Sequence, residues 1–574
     1  MPRTNFFALL CLAATLCAAQ TKPGGVEALL DRAATETASR NYAAARIHFE
    51  QALRLAPRNA EAHKGLAYVL TAQGDLRRAI EHLTVAAKLD PRSAETQLML
   101  GQVLERDRKP TEAIPHLRRA LELQSSLVEA HRILGTIYAG DRQFAAAQEE
   151  LNAAIKLAPN RADLHDALGS VLAQQNQIID AEAQFTEAVR LDPALANAHF
   201  HLGVLRLQQN DLEQAIASLQ QAVSLDAHHA DAQAFLGHAL EKSSQTEQAV
   251  AAYRAALAVR PDHLDTGLRL GALLLRTGEI DGAISTLRSV VKAHPQVPES
   301  HDNLGLALLQ SGDAPAAEEQ FRAAIALRPG DTALRNNLGI AQLQRSDFAA
   351  ASDTFADILR ESPNDAQVHY NYGLALKLRD QTDAAIEQFK TAAALQPDMP
   401  DVHYTLGVTY WQLGRFDEAA ASLERAIQAK PDYAEAYYTL GTVRKQQKEL
   451  EPAAAALRRA IELQPDFAGA HSTLASVLRE QGDVEGAKQE VARTAELSKR
   501  ATDAQAALFA LNSGKRFLNA GDIDAAIERF QTAVKLAPNS AVVHSTLATA
   551  LDRKGDSAGA ARERALAQEF TARR

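Results

Sequence analysis

The chain has 574 residues, 46% of them apolar but only 5% aromatic, and a formal charge of −10. With abundant Ala and Leu and so few large side chains to fill big cores, it reads as an all-α protein of many small packed helices. The acidic balance argues against a nucleic-acid partner, which would favour a basic stripe.

Residues 1–19 have the pattern of a secretory signal peptide: Arg3, an apolar run from Phe6 to Ala19, and small residues Cys17 and Ala19 before a cut after Ala19. The run is shorter than the ~20 apolar residues of a membrane span. An uncleaved N-terminal anchor is the alternative reading. A lipidated cysteine is disfavoured because Leu16, not a small residue, precedes Cys17. Residues 20–25 then form a polar linker. Cys11 and Cys17 are the only cysteines. Cleavage would therefore leave no thiol, and with it no disulfide, thiolate nucleophile or cysteine metal site. There is no Asn-x-Ser/Thr acceptor. These features together lead us to expect a periplasmic or secreted bacterial protein with no membrane span in the mature chain.

From Val26 onward the sequence repeats every 34 residues. Fourteen copies run without a gap over residues 26–501. After an insertion at 502–506, two more occupy residues 507–574. With Val26, Ala60 and Ala94 as position 1, position 20 is alanine in all sixteen copies, position 8 is Gly or Ala, and position 32 is usually proline, as in Pro57, Pro159 and Pro465. A mid-helix glycine costs about 1 kcal/mol relative to alanine, so Gly101, Gly135 and Gly407 at position 8 point to close approach of a second helix. The proline ends helix B of each copy. Asp75, Asp211, Asp313, Asp347 and Asp483 at position 16 suit the N-cap of helix B.

This pattern resembles the tetratricopeptide-repeat family over everything after residue 25. The resemblance implies a right-handed superhelical solenoid of helix–turn–helix repeats, about sixteen copies, whose inner groove takes a protein or extended peptide. The terminal copies are expected to be solvated caps, with Arg32 and Glu36 at positions 7 and 11 of the first and Arg564 at position 24 of the last. Copy 14 departs from the pattern at Val491, Thr494 and Lys499, and residues 495–506 are expected to form a kink or hinge.

Nine copies carry histidine at position 4, among them His63, His165 and His369. A shared metal is disfavoured, since adjacent packed helices lie about 8–10 Å apart while zinc needs ligands at roughly 2.0–2.1 Å. The histidines are read as filling an aromatic position at the core edge. Acids at position 2, such as Glu61, Asp265 and Glu435, complement the helix dipole. No nucleophile elbow, phosphate loop or His-Glu-x-x-His motif occurs, so neither catalysis nor a cofactor or metal is expected.

Helix positions 2, 5, 6, 9, 12 and 13 share the face that lines the groove in this family. In copies 9–13 that face bears Asp302, Asn303, Asn336, Asn337, Tyr370 and Asn371, then Tyr404, Thr405, Trp411, Tyr438 and Thr439. Asparagine at position 6 is similar to the repeats of O-linked N-acetylglucosamine transferases, where such amides grip a polypeptide backbone; no glycosyltransferase domain accompanies it here. Amides bind a backbone without reading side chains, and tyrosines add interface area with a hydroxyl. These residues are the candidate partner-binding site of an exported, non-enzymatic scaffold. The alternative is a structural part of a cell-envelope complex, for polysaccharide export, secretion or a pilus, that uses its outer face.

Overall fold

The computed structural model describes residues 25–572; the signal peptide expected at residues 1–19, and all of the linker but Gly25, lie outside the described residues. The described residues form 31 helices and no strand. Copies 1–8 belong to one compact unit, Met1–Pro295, and copies 9–16 to a second, Gln296–Arg574. Within each unit every helix packs chiefly on its sequence neighbours, as a solenoid requires.

Local chemistry sets the helix boundaries. In copy 2, helix A runs Ala60–Gln73 and helix B Leu76–Leu89. Helix A starts at position 1 in every described copy but the fifteenth, and helix B at position 17 in all sixteen. The position-16 aspartates do cap helix B: Asp75 accepts from the Arg78 N–H at 3.2 Å, and Asp313, Asp347 and Asp483 act alike. Between the two helices position 15 takes a left-handed conformation in every copy, as glycine in seven and as Arg, Asn, Ser, Asp or Lys in nine. This turn lets the position-16 N–H reach back to the position-11 carbonyl, as Asp75 does to Leu70 at 2.9 Å, closing the helix end.

The glycines at position 8 are required by packing. A Cβ on Gly101 would fall 2.5 Å from Leu117, and one on Gly373 2.5 Å from the Phe389 ring. In both cases the obstacle is the position-24 side chain of the same copy. The position-20 backbone closes the other side, with the Ala419 carbonyl 3.2 Å from where a Cβ of Gly407 would stand. Helices A and B therefore touch through a small residue on one and a large one on the other. The apolar side chains this seals, such as Leu83, Phe355 and Phe389, are fully buried, each stabilising by about 1.5–3 kcal/mol.

The expected kink at residues 495–506 does not form. Helix B of copy 14 and helix A of copy 15 are one continuous helix, Val484–Asn519, of 36 residues. The segment Ser498–Ala506 contains neither proline nor glycine, and its Lys, Arg, Gln and Ala residues favour propagation. The insertion thus removes a turn instead of bending one, and for this reason sixteen helix pairs give 31 helices. At the chain ends, Arg32 is exposed and Arg564 pairs with Asp552, whereas Glu36 is partly buried and bonded to His48 at 2.7 Å.

Candidate interaction face

Within each unit, most A helices of consecutive copies touch one another, while no pair of consecutive B helices makes a comparable contact. A stack whose A helices lie closer than its B helices curves with the A helices inside. The face bearing positions 2, 5, 6, 9, 12 and 13 is therefore the inner one.

On this face in the second unit, side chains bond from copy to copy. The Asn337 amide donates to Asp302 at 2.9 Å, and the Asn371 amide to Asn336 at 2.9 Å. Gln367 donates to the Asn371 oxygen at 3.2 Å, and Tyr370 and Thr405 share a hydrogen bond of 3.3 Å. Burial holds the Asp302 carboxyl above its usual range, despite the Asn337 bond; Asp331 and Glu299 push the same way. Burial likewise raises the Tyr370 hydroxyl and lowers the Lys377 ammonium.

The candidate residues divide by exposure. Asn371 and Thr439 are buried and satisfied internally, Thr439 by the Glu435 carbonyl at 2.8 Å, so they brace the face. Asp302, Asn303, Asn336, Asn337, Tyr370, Tyr404, Thr405, Trp411 and Tyr438 are half-buried and reach the surface. Two of the tyrosines lean on an aromatic ring at position 34 of their own copy. Tyr404 stacks on Tyr433 with centroids 5.0 Å apart, and Tyr438 on Phe467 at 4.8 Å. Tyr433 is itself held by a hydrogen bond to Asp401 at 3.1 Å.

A tetratricopeptide-repeat family model matches residues 36–103, 378–442 and 413–462, and a second matches 303–366, 336–400, 438–507 and 511–569, together more than half of the chain. The chain belongs to the tetratricopeptide-repeat family. A further model, described as the C-terminal domain of cilia and flagella-associated protein 70, matches residues 92–293. No curated protein matches the chain. Among solved structures, the Cut9–Hcn1 hetero-tetramer of the APC/C is similar at 16% identity over 79% of this chain and 96% of that one, with a TM-score of 0.35. YrrB, titled a TPR protein with an unusual peptide-binding site, is similar at 24% identity over 35% of this chain and 99% of that one, TM-score 0.28. MamA from Desulfovibrio magneticus RS-1 is similar at 23% identity over 29% and 93%, TM-score 0.27.

In this tetratricopeptide array the position-4 histidines have a role that spacing did not show. In His165 and His369, Nε2 lies 3.0 and 2.9 Å from the carbonyl oxygens of Pro159 and Pro363, which end the preceding copy. Nδ1 meets position 23 of the same copy's helix B, at Gln184 (2.8 Å) and Gln388 (2.7 Å). His131, His471 and His544 meet Glu150, Glu490 and Glu563 instead. Copy 3 inverts the pair, with Gln97 at position 4 and His116 at position 23. The rings of His63, His131, His165, His369, His471 and His544 thus each tie together three segments. Among the described residues no three His, Cys, Asp or Glu side chains converge as a metal site.

Sequence reading also missed a cavity of about 220 Å³ on the A-helix face of copies 1–3, lined by Leu30, Ala34, Phe49, Gly65, Tyr68 and Met99 among others. It exists because Gly65 and Ala34, beside the buried Phe49 ring, carry too little side chain to fill the space. At its rim Lys64 lies 2.9 Å from Glu61 and 2.7 Å from Glu95. Burial disfavours the Lys64 charge, but the bonds to Glu61 and Glu95 outweigh it and raise its affinity for the proton.

Proposed function

We propose that this chain is an exported, non-enzymatic tetratricopeptide scaffold that holds an extended segment of a partner protein along the inner face of copies 9–13. The observation that carries the reading is the bracing of Tyr404 and Tyr438 by the rings at position 34, with Tyr370 and Trp411 half-exposed beside them. Rings fixed before binding lose little freedom on contact, so their area converts more fully into affinity. The half-buried Asn303, Asn336 and Asn337 add backbone-directed donors and acceptors at one end of the same strip. Export rests on the pattern of residues 1–19.

The test is a crosslinked pull-down of the chain from its native cell envelope, with mass spectrometry of the bound protein and of the chain's own first residue. Replacing Tyr370, Tyr404 and Tyr438 together by Ala is expected to lower partner recovery at least about tenfold, with helix content retained and the mature chain starting at Gln20. Unchanged recovery would remove the site from these copies. It would favour the outer-face envelope component, for which shortening the array, not the tyrosine change, abolishes function. A cytosolic chain starting at Met1 would refute export.

A further inference from the structure

The continuous helix Val484–Asn519 leaves two apolar surfaces uncovered. At position 24 Val491 is 46% exposed. Except in the last copy, which carries Arg564, the residue at this position in every other copy is apolar and buried, among them Phe389, Leu423, Leu457 and Phe530 at 0%. Val484, at position 17, is also exposed, and a groove of about 310 Å³ runs along Val484, Ala487, Val491, Ala492 and Ala495. This groove is the seat that helix A of the next copy fills elsewhere: in the first unit Phe49, at position 24, packs against Gly65, at position 6 of the following copy. The second surface is the matching half. Position 3 of helix A is buried at Val368, Val402, Ala436 and Ala470, yet at copy 15 it is Phe509, 77% exposed, with Leu508 exposed next to it.

One junction of the array has therefore been opened, and both of its faces remain on one rigid rod that cannot fold back on itself. We propose that this helix pairs antiparallel with the same helix of a second copy of the chain, so that the start of copy 15 in each closes on the end of copy 14 in the other. The register follows from the ordinary junctions. Setting position 24, Val491, opposite position 6, Asn512, puts the two-fold axis between Ala501 and Thr502, which is also the midpoint of Val484–Asn519.

A single symmetry operation then closes two junctions over the full length of both helices, an isologous contact that terminates at two copies. Phe509 lands on Thr494 and Ala495, whose small side chains leave room for its ring. Arg516, where other copies bury Val443 or Val477, falls near the first turn of the partner helix, which carries Glu485. At 1.5 Å per residue the helix is about 54 Å long, enough to supply the roughly 800 Å² per partner of a stable interface.

The experiment uses the full chain with Cys11 and Cys17 replaced by Ser. Light scattering after size exclusion should give two copies at micromolar concentration. Phe509→Asp and Val491→Asp should each weaken association at least about a hundredfold. Both side chains are exposed, so circular dichroism should show unchanged helix content. Thr502→Cys, at the axis, should form a disulfide-linked dimer under mild oxidation, while Thr549→Cys, exposed on copy 16, should not. A chain that stays monomeric at tens of micromolar, a dimer indifferent to both aspartates, or open-ended oligomers would each overturn the proposal.

Discussion

Copies 12 and 14 share the same repeat pattern and end differently. In copy 12 helix B stops at Ala429, Pro431 follows, and helix A of the next copy begins at Ala434. In copy 14 Lys499 stands at the proline position and the helix continues for another twenty residues to Asn519. Proline alone does not make the difference, because copies 3 and 6 carry Ser125 and Ala227 there and still stop at Leu123 and Leu225. Their connections have the regular four residues; in copy 6 the Asp226 carboxylate also accepts from the His228 N–H at 3.0 Å. Copy 14 combines a connection longer by five residues with a run of helix-favouring side chains. Turn length and turn chemistry, more than the packing residues, decide whether one repeat can dock on the last.

Three changes would break or sharpen this contrast. The largest effect is expected from Thr502→Pro, which removes a hydrogen bond and clashes with the preceding turn in the middle of the long helix, at a cost of about 3 kcal/mol. Hydrogen exchange should show protection lost around Ala501 with the regular copies unaffected, and two-copy association should disappear. A smaller loss, about 1–3 kcal/mol, is expected from Gly373→Val, which drives a side chain into Phe389 inside an intact helix pair. It should appear as earlier local opening of copy 11 in denaturant, since solenoids lose structure copy by copy. The smallest is a gain. Ser346 holds the left-handed position 15 of copy 10 at φ 62°, and Ser346→Gly should relieve up to about 1 kcal/mol, read as a raised local unfolding midpoint.

The helix pairs were legible because their determinants repeat in phase: alanine at 20, glycine at 8 and aspartate at 16 each have a local steric or hydrogen-bonding reason. The continuous helix was not. The repeat pattern implied a boundary after copy 14, whereas the intrinsic preference of Ser498–Ala506 decided against one. The histidine bridges were hidden for another reason. Their partners lie 19 residues ahead on helix B and on a backbone carbonyl six residues behind, and the carbonyl is not a feature of side-chain pattern. On the inner face, the identity of Asn371 pointed to binding, but its pairing with Asn336 depends on how consecutive A helices align. The cavity near Phe49 depends on side chains that are missing, at Gly65 and Ala34, which no motif marks.

The position-4 histidines also bear on how such an array would respond to force. Six of these rings, such as His165 and His369, sew the exit of one copy to both helices of the next, so a pull along the chain meets a row of stitches. The row is interrupted where other residues stand, as at Gly267 in copy 8 and Tyr437 in copy 13. Under tension the seams that lack the imidazole link are where the fabric should part first.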